Sequence, residues 1–440
     1  MTYGIAVART RRLAATVLFF LGLLALATGS VAGDVFGGGA ALPAGAYVGF
    51  GFLAAGNPRL SANTASNTYS AGRAAIDSGS LFGAWNVATG NAISYCQTGS
   101  ASGRKLFDNF DGVVALTSAG PCNGTTAGFA APNGVAVDPY FASSDIPLSQ
   151  AEYDQFAAGG KTGVYGRPAQ FPVLASSIAL VFNNPDVTAT LNLADTQICN
   201  ILNGSVTNWN QIDAHLPSKQ IKVVYRSDGS GSTFSLANHL TASLPTAVCP
   251  PVGGHHFLLD QAFTVVVSQF MPSISTGWIG ALGDGALIEA VAGTDGAIGY
   301  AGSANVRAAQ LIHPALRYAT VNGLDPIADF PGSITLVTLA NQVLGSSGTL
   351  SLLSPAPSGT ACINTVNPAV YATATTRYPI MAVSYLLANF QGNGSSRDAV
   401  RSLIASAYGA HIGVTTIGAG KGYAFLHPPL ALDINSCVNT

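Results

Sequence analysis

Apolar and polar positions along the chain fall into two rhythms. Short apolar runs bounded by turn residues predict strands at Val113–Leu116, Val173–Phe182, Ile221–Tyr225, Ala297–Tyr300 and Ser333–Leu339. Longer amphipathic stretches predict helices at Leu148–Ala157, Asp195–Leu202, Thr233–Ala242, Gly285–Ala292, Ile380–Asn389 and Arg397–Ala407. Alternating strands and helices predict α/β sheets with ligands at the strand ends. Region 303–365 reads as a strand- and turn-rich insertion, with loops at Ser346–Gly348 and Ser354–Gly359.

The first segment reads as an address. Arg9, Arg11 and Arg12 precede the apolar run Leu13–Ala27, and small residues Ser30-Val31-Ala32 follow it. The run is short for a membrane span. Residues 1–33 are therefore expected to be a cleaved signal peptide of the ordinary Sec type, and the mature chain is expected to be periplasmic or secreted. No later stretch reaches 18 uninterrupted apolar residues.

Composition agrees with an exported globular protein. The chain has 440 residues, long enough for two lobes, and 48% of them are apolar, enough for a large core. Only 9% are charged and the net charge is −2, which excludes a nucleic-acid partner. All six cysteines lie beyond residue 33, and an even count in an exported chain favours disulfides. Six cysteines allow 15 pairings. Pairing sequence neighbours gives Cys96–Cys122, Cys199–Cys249 and Cys362–Cys437. No metal-ligand spacing is present, and neither metal nor cofactor is expected.

The sharpest chemical signal is Val223-Val224-Tyr225-Arg226-Ser227-Asp228-Gly229-Ser230-Gly231-Ser232-Thr233. A strand delivers an Arg, and a Gly/Ser loop turns into a helix start. Free N–H groups and the positive dipole end of the helix would face an anion there. Ser230, Ser232 and Thr233 add hydroxyls, and Arg226 adds a planar fork. The alternative is a Ser/Thr helix cap beside a surface Arg. Two segments have similar chemistry: Asp34-Val35-Phe36-Gly37-Gly38-Gly39-Ala40-Ala41-Leu42-Pro43 and Thr98-Gly99-Ser100-Ala101-Ser102-Gly103. A fourth, Ser143-Ser144-Asp145, puts a carboxylate beside them. Asp145 fits an anion site if the guest keeps a proton, as hydrogenphosphate does and sulfate does not. Its alternative is a helix cap.

These four segments, in this order, resemble phosphate-binding proteins of ABC transporters (PstS-like), and more closely the DING subgroup. Asp34-Val35-Phe36-Gly37-Gly38-Gly39 resembles the amino-terminal pattern that names that subgroup. Arg226–Ser232 is similar to the family's Arg-x-[Asp/Glu]-x-Ser-Gly-Thr loop. Gly204-Ser205-Val206-Thr207-Asn208-Trp209, Asp295-Gly296-Ala297-Ile298-Gly299-Tyr300 and Tyr378-Pro379-Ile380 add to it. The resemblance implies a two-lobed periplasmic binding protein fold (type II) with a two-stranded hinge. Lobe one would be 34–170 with 303–440 and lobe two 171–302, with crossings near Phe171–Ala175 and Ala301–Asn305. It implies phosphate contacts from Ala41, Leu42, Ser100, Asp145, Arg226, Ser230, Gly231 and Ser232, with Asp228 orienting Arg226. It further implies a monomer that hands phosphate to an inner-membrane ABC permease.

Two departures stand out. Ala41 replaces the family's Thr, losing one hydroxyl donor, whereas Ser232 replaces a Thr and keeps it. One hydrogen bond to a charged ligand is worth about 1.5–3 kcal/mol. Two other functions are compatible with the resemblance: a secreted DING-type phosphatase, and a scaffold or adhesion protein that keeps the fold without the ligand. No G-x-S-x-G elbow surrounds Ser100 or Ser230, so no catalytic residue is assigned.

Overall fold

The computed structural model describes residues 34–51, 59–62, 73–108, 122, 138–242, 248–345, 348–428 and 432–440. The signal segment 1–33 and the strand expected at Val113–Leu116 lie outside the described residues.

The architecture is organised by one long strand, Pro168–Asn183, buried over all but its last residue. Its continuous apolar sequence suits a strand covered on both faces. The first half pairs antiparallel with Met381–Asn389 and with Tyr423–Leu426. The second half pairs antiparallel with Ala297–Gly302 and Arg317–Val321. Partners change between Ser177 and Ile178, just beyond the Phe171–Ala175 span expected for the first crossing. At Gly302 the strand Ala297–Gly302 gives way to the helix Ser303–Ala309.

Two α/β lobes result. In the first, Asp34–Gly39 lies parallel between Ala92–Cys96 and Phe141–Ser144, and the latter pairs with Met381–Asn389. In the second, Lys222–Arg226 lies parallel between Ala297–Gly302 and Ile279–Ala281. Arg317–Val321 is hydrogen-bonded to the second half of the long strand, and Ser333–Ile334 lies parallel to Tyr423–Leu426 in the first sheet.

One expected helix is also wrong. Ile380–Asn389 forms the strand Met381–Asn389, with all nine residues buried. An apolar run covered on both faces has no 3.6-residue contrast to distinguish it from a buried helix. The expected strand Ser333–Leu339 is two short strands, Ser333–Ile334 and Thr338–Ala340, in different sheets. The helices Asp195–Leu202, Gly231–Thr241, Gly283–Ala292 and Arg397–Ser406 lie within a few residues of expectation.

Aromatic packing fixes the floor of the first lobe. Tyr47 stacks on Phe82 at 4.7 Å, and Phe82 meets Phe141 edge-on at 5.7 Å. Three disulfides join Cys96–Cys122, Cys199–Cys249 and Cys362–Cys437. No described helix is long and apolar enough to cross a membrane.

Candidate functional site

The four anion-type segments all leave the carboxyl ends of parallel strands. Ala40–Leu42 follows Asp34–Gly39, Gln97–Gly99 follows Ala92–Cys96, Asp145 follows Phe141–Ser144, and Ser227–Ser230 follows Lys222–Arg226. In open α/β sheets that edge is where ligands sit. Gly39 makes the turn possible: its φ is +129°, and a Cβ there would overlap the Ser143 carbonyl. Tyr95 donates from its hydroxyl to the Ala40 carbonyl at 2.6 Å and pins the first segment.

Ser100 and Asp145 are locked together. Ser100 Oγ donates to Asp145 Oδ2 at 3.2 Å and accepts from the Asp145 N–H at 3.0 Å. Ser384 Oγ donates to Asp145 Oδ1 at 2.6 Å. Asp145 does not cap the next helix; Ser149 does, in a reciprocal box with Glu152. Burial pushes the Asp145 carboxyl up to about 7; the two serine bonds and Arg226 oppose the rise, and the Asp284 charge adds to it.

The loop of the second lobe meets this pair directly. Gly231 heads the helix Gly231–Thr241, and a Cβ on it would overlap the Asp145 carboxyl and sit 2.7 Å from Ser100 Oγ. The Ala101 N–H donates to the Gly229 carbonyl at 3.2 Å across the same junction. Ser230 caps the helix by accepting from the Thr233 N–H, which leaves its own proton for a guest. The first-turn N–H groups of this helix have no partner within it.

Arg226 is 2% exposed. It donates through Nε and Nη2 to both Asp228 oxygens and through Nη1 to Asp284 Oδ1 at 2.8 Å. Burial disfavours its charge, but the two carboxylates outweigh burial and hold the proton more firmly than usual. These bonds use three of the five guanidinium N–H groups and leave two for an oxyanion. Asp228 also accepts from the Gly283 N–H at 3.1 Å.

The expected residues thus sort into one cluster. Ser100, Asp145 and Gly231 touch; Arg226 and Ser232 meet at Asp284; Asp228 accepts from Arg226 Nε and Nη2. Ala41 and Leu42 join through Asn305 and Tyr423, which bond the Ala41 and Leu42 carbonyls respectively. Four further residues were not anticipated: Asp284, Ser384, Asn305 and Arg104. Ser384 was hidden by the mistaken helix. Asp284 had a signal, an acid in the apolar run Leu282-Gly283-Asp284-Gly285-Ala286-Leu287 of a chain poor in charge. Arg104 lies buried behind Asp145, paired with Glu152 and donating to Ser144 Oγ at 2.8 Å and, across the cleft, to Gln261 Oε1 at 2.9 Å. His239 stands apart, its ring between Asp195 and the Ala372 carbonyl.

Chemically, the cluster brings together helix amides, hydroxyls, the Arg226 guanidinium with its two carboxylates, and the Asp145 carboxyl. Such a set suits a small tetrahedral oxyanion. The chain is 27% identical over 332 residues to alkaline phosphatase L from a strain of Pseudomonas aeruginosa, covering 74% of this chain and 77% of that protein. With that protein from another strain it is 28% identical over 208 residues, spanning about half of each chain. It is 38% identical over 129 residues to phosphate-binding protein PstS3 of Mycobacterium bovis, covering 28% of this chain and 33% of that one. Among solved structures, it superposes on a phosphate-bound periplasmic phosphate-binding protein, PfluDING, with a TM-score of 0.59 at 22% identity, over 90% and 91% of the two chains. A phosphate-binding protein from Stenotrophomonas maltophilia gives 0.54 at 23%, over 89% and 88%. The fold is the two-lobed type II arrangement of those structures. The sequence pattern of the PBP superfamily domain matches residues 54–405, most of the chain, and the protein belongs to the PBP superfamily.

Proposed function

We propose that this protein captures inorganic phosphate, as hydrogenphosphate, between its lobes and delivers it to an ABC phosphate permease. The observation that supports the reading most is the meeting of Ser100 and Asp145 with Gly231 at the head of the Arg226 loop helix. Ala41, Leu42, Ser100, Asp145, Arg226, Ser230, Gly231 and Ser232 are the proposed contacts. Dipoles and hydroxyls do most of the gripping, because the Arg226 charge is already offset by Asp228 and Asp284. The relatives and structural neighbours named for phosphate binding support the same ligand. Capture takes place outside the inner membrane, after removal of residues 1–33.

Calorimetry on phosphate-stripped protein tests it. Heat with phosphate and none with sulfate is expected; no heat at millimolar phosphate would remove the reading. The similarity to alkaline phosphatase L favours a second reading, an exported phosphatase. Steady turnover of an aryl phosphate, abolished by Ser230→Ala, would establish it.

A further inference from the structure

Asp284 is 1% exposed and accepts four hydrogen bonds. Its Oδ1 takes Arg226 Nη1 at 2.8 Å and Ser232 Oγ at 3.2 Å. Its Oδ2 takes the Gly302 N–H and Asn305 Nδ2, both at 3.0 Å. The second pair comes from the end of the strand Ala297–Gly302 and the first turn of the helix Ser303–Ala309, and Asn305 is itself held by the Tyr423 hydroxyl at 3.2 Å. Oδ2 is therefore anchored, and Oδ1 is aimed at two groups assigned above to the guest.

We infer that Asp284 is a built-in rival of the guest anion, holding Arg226 and Ser232 and thereby setting the affinity of the site. The inference rests on the phosphate reading. Three observations support a rival rather than a brace. Asp228 already grips Arg226 through two bonds, so the orientation of the guanidinium does not need Asp284. The buried trio of Arg226, Asp228 and Asp284 has one positive and two negative charges, so Asp284 tips the site against any anion. The Ser232 proton cannot serve Asp284 and a phosphate oxygen at once. A rival of this kind keeps the donors satisfied between guests and weakens the grip enough for release.

The test is phosphate calorimetry on the stripped native protein, Asp284→Asn and Asp228→Asn. Asn removes the charge and keeps one acceptor oxygen, which serves one of the two donor pairs. The Asp284→Asn protein is expected to bind phosphate at least about tenfold more tightly than native, since repulsion between close charges in a buried site is strong. The Asp228→Asn protein is expected to bind more weakly. Phosphate should also raise the melting temperature of Asp284→Asn more than that of native protein. If Asp284→Asn weakens binding as Asp228→Asn does, Asp284 is a brace and the inference is overturned. If native protein binds no phosphate but Asp284→Asn does, the inference stands and the native ligand is another. If neither binds, the phosphate reading fails and takes this inference with it. Should the Asn substitution prevent folding, Asp284→Ser supplies the same comparison.

Discussion

Gly231 and Asp145 face each other across the cleft with no space for a side chain between them. The contact joins the head of one lobe's helix to the strand end of the other. Gly231→Ala would drive a methyl into the Asp145 carboxyl and Ser100 Oγ. Overpacking of this sort costs about 1–3 kcal/mol. Denaturant unfolding should register that loss, and calorimetry a fall in phosphate affinity of about tenfold or more. Unchanged affinity would show that the two faces do not need to meet for binding.

Asp145 makes stability depend on pH. Burial moves its carboxyl from 3.8 up to about 7. Between those values the unfolded chain has released the proton and the folded chain still holds it. Stability from this group is complete below about pH 4 and is lost as pH rises to about 7, a change on the order of 4 kcal/mol. Melting of stripped protein should therefore decline across that window by more than melting of Asp145→Asn. Parallel profiles for the two proteins would contradict the assignment.

The same residue should govern selectivity. Above pH 7 its carboxylate faces the guest, and a fully ionised oxyanion has no hydrogen to offer it. Asp145→Asn replaces that acceptor with an amide that can also donate. Sulfate titrated at pH 8 should give no heat with native protein and measurable heat with Asp145→Asn. Identical preferences in the two proteins would remove Asp145 from the selectivity argument.

Arg226 is held between two buried acids, so its loss strands both. Arg226→Ala should cost about 3–5 kcal/mol in urea unfolding and abolish phosphate binding. Arg226→Lys keeps the charge but not the fork, and should recover part of the stability while binding weakly. Full affinity in the Lys protein would mean that only charge matters here.

The Cys362–Cys437 bridge spans 75 residues and ties the carboxyl terminus beneath the first lobe. Closing a loop of that size is worth about 4 kcal/mol in the chain-entropy picture. The Cys362→Ser, Cys437→Ser double variant should unfold at clearly lower denaturant. Phosphate affinity at 25 °C should be unchanged, because neither residue reaches the anion loops.

Local order was what the sequence disclosed. The run from Val223 to Thr233 states strand, turn and helix within eleven consecutive positions, each a known response of backbone to residue type. The gap between Ser100 and Asp145 could be bridged only through the resemblance. Met381–Asn389 was misread because burial on both faces erases the periodicity that marks a helix or a strand. With it went Ser384, whose hydroxyl reaches an acid far away in sequence. Asp284 and Asn305 escaped for a related reason: their partners are set by how two sheets share one strand, and no spacing records that.

That shared strand has a mechanical consequence. Pro168–Asn183 is stitched into one sheet up to Ser177 and into the other from Ile178 onward. It works as an axle common to both bodies. Separating them outright would tear ladder bonds on one side or the other, whereas torsion at the Ser177–Ile178 joint strains few, chiefly the Ile178 N–H bond to the Ile380 carbonyl at 3.0 Å. Admission and discharge of a guest should then be a rotary movement, with the loop after Arg226 sweeping an arc past Asp145.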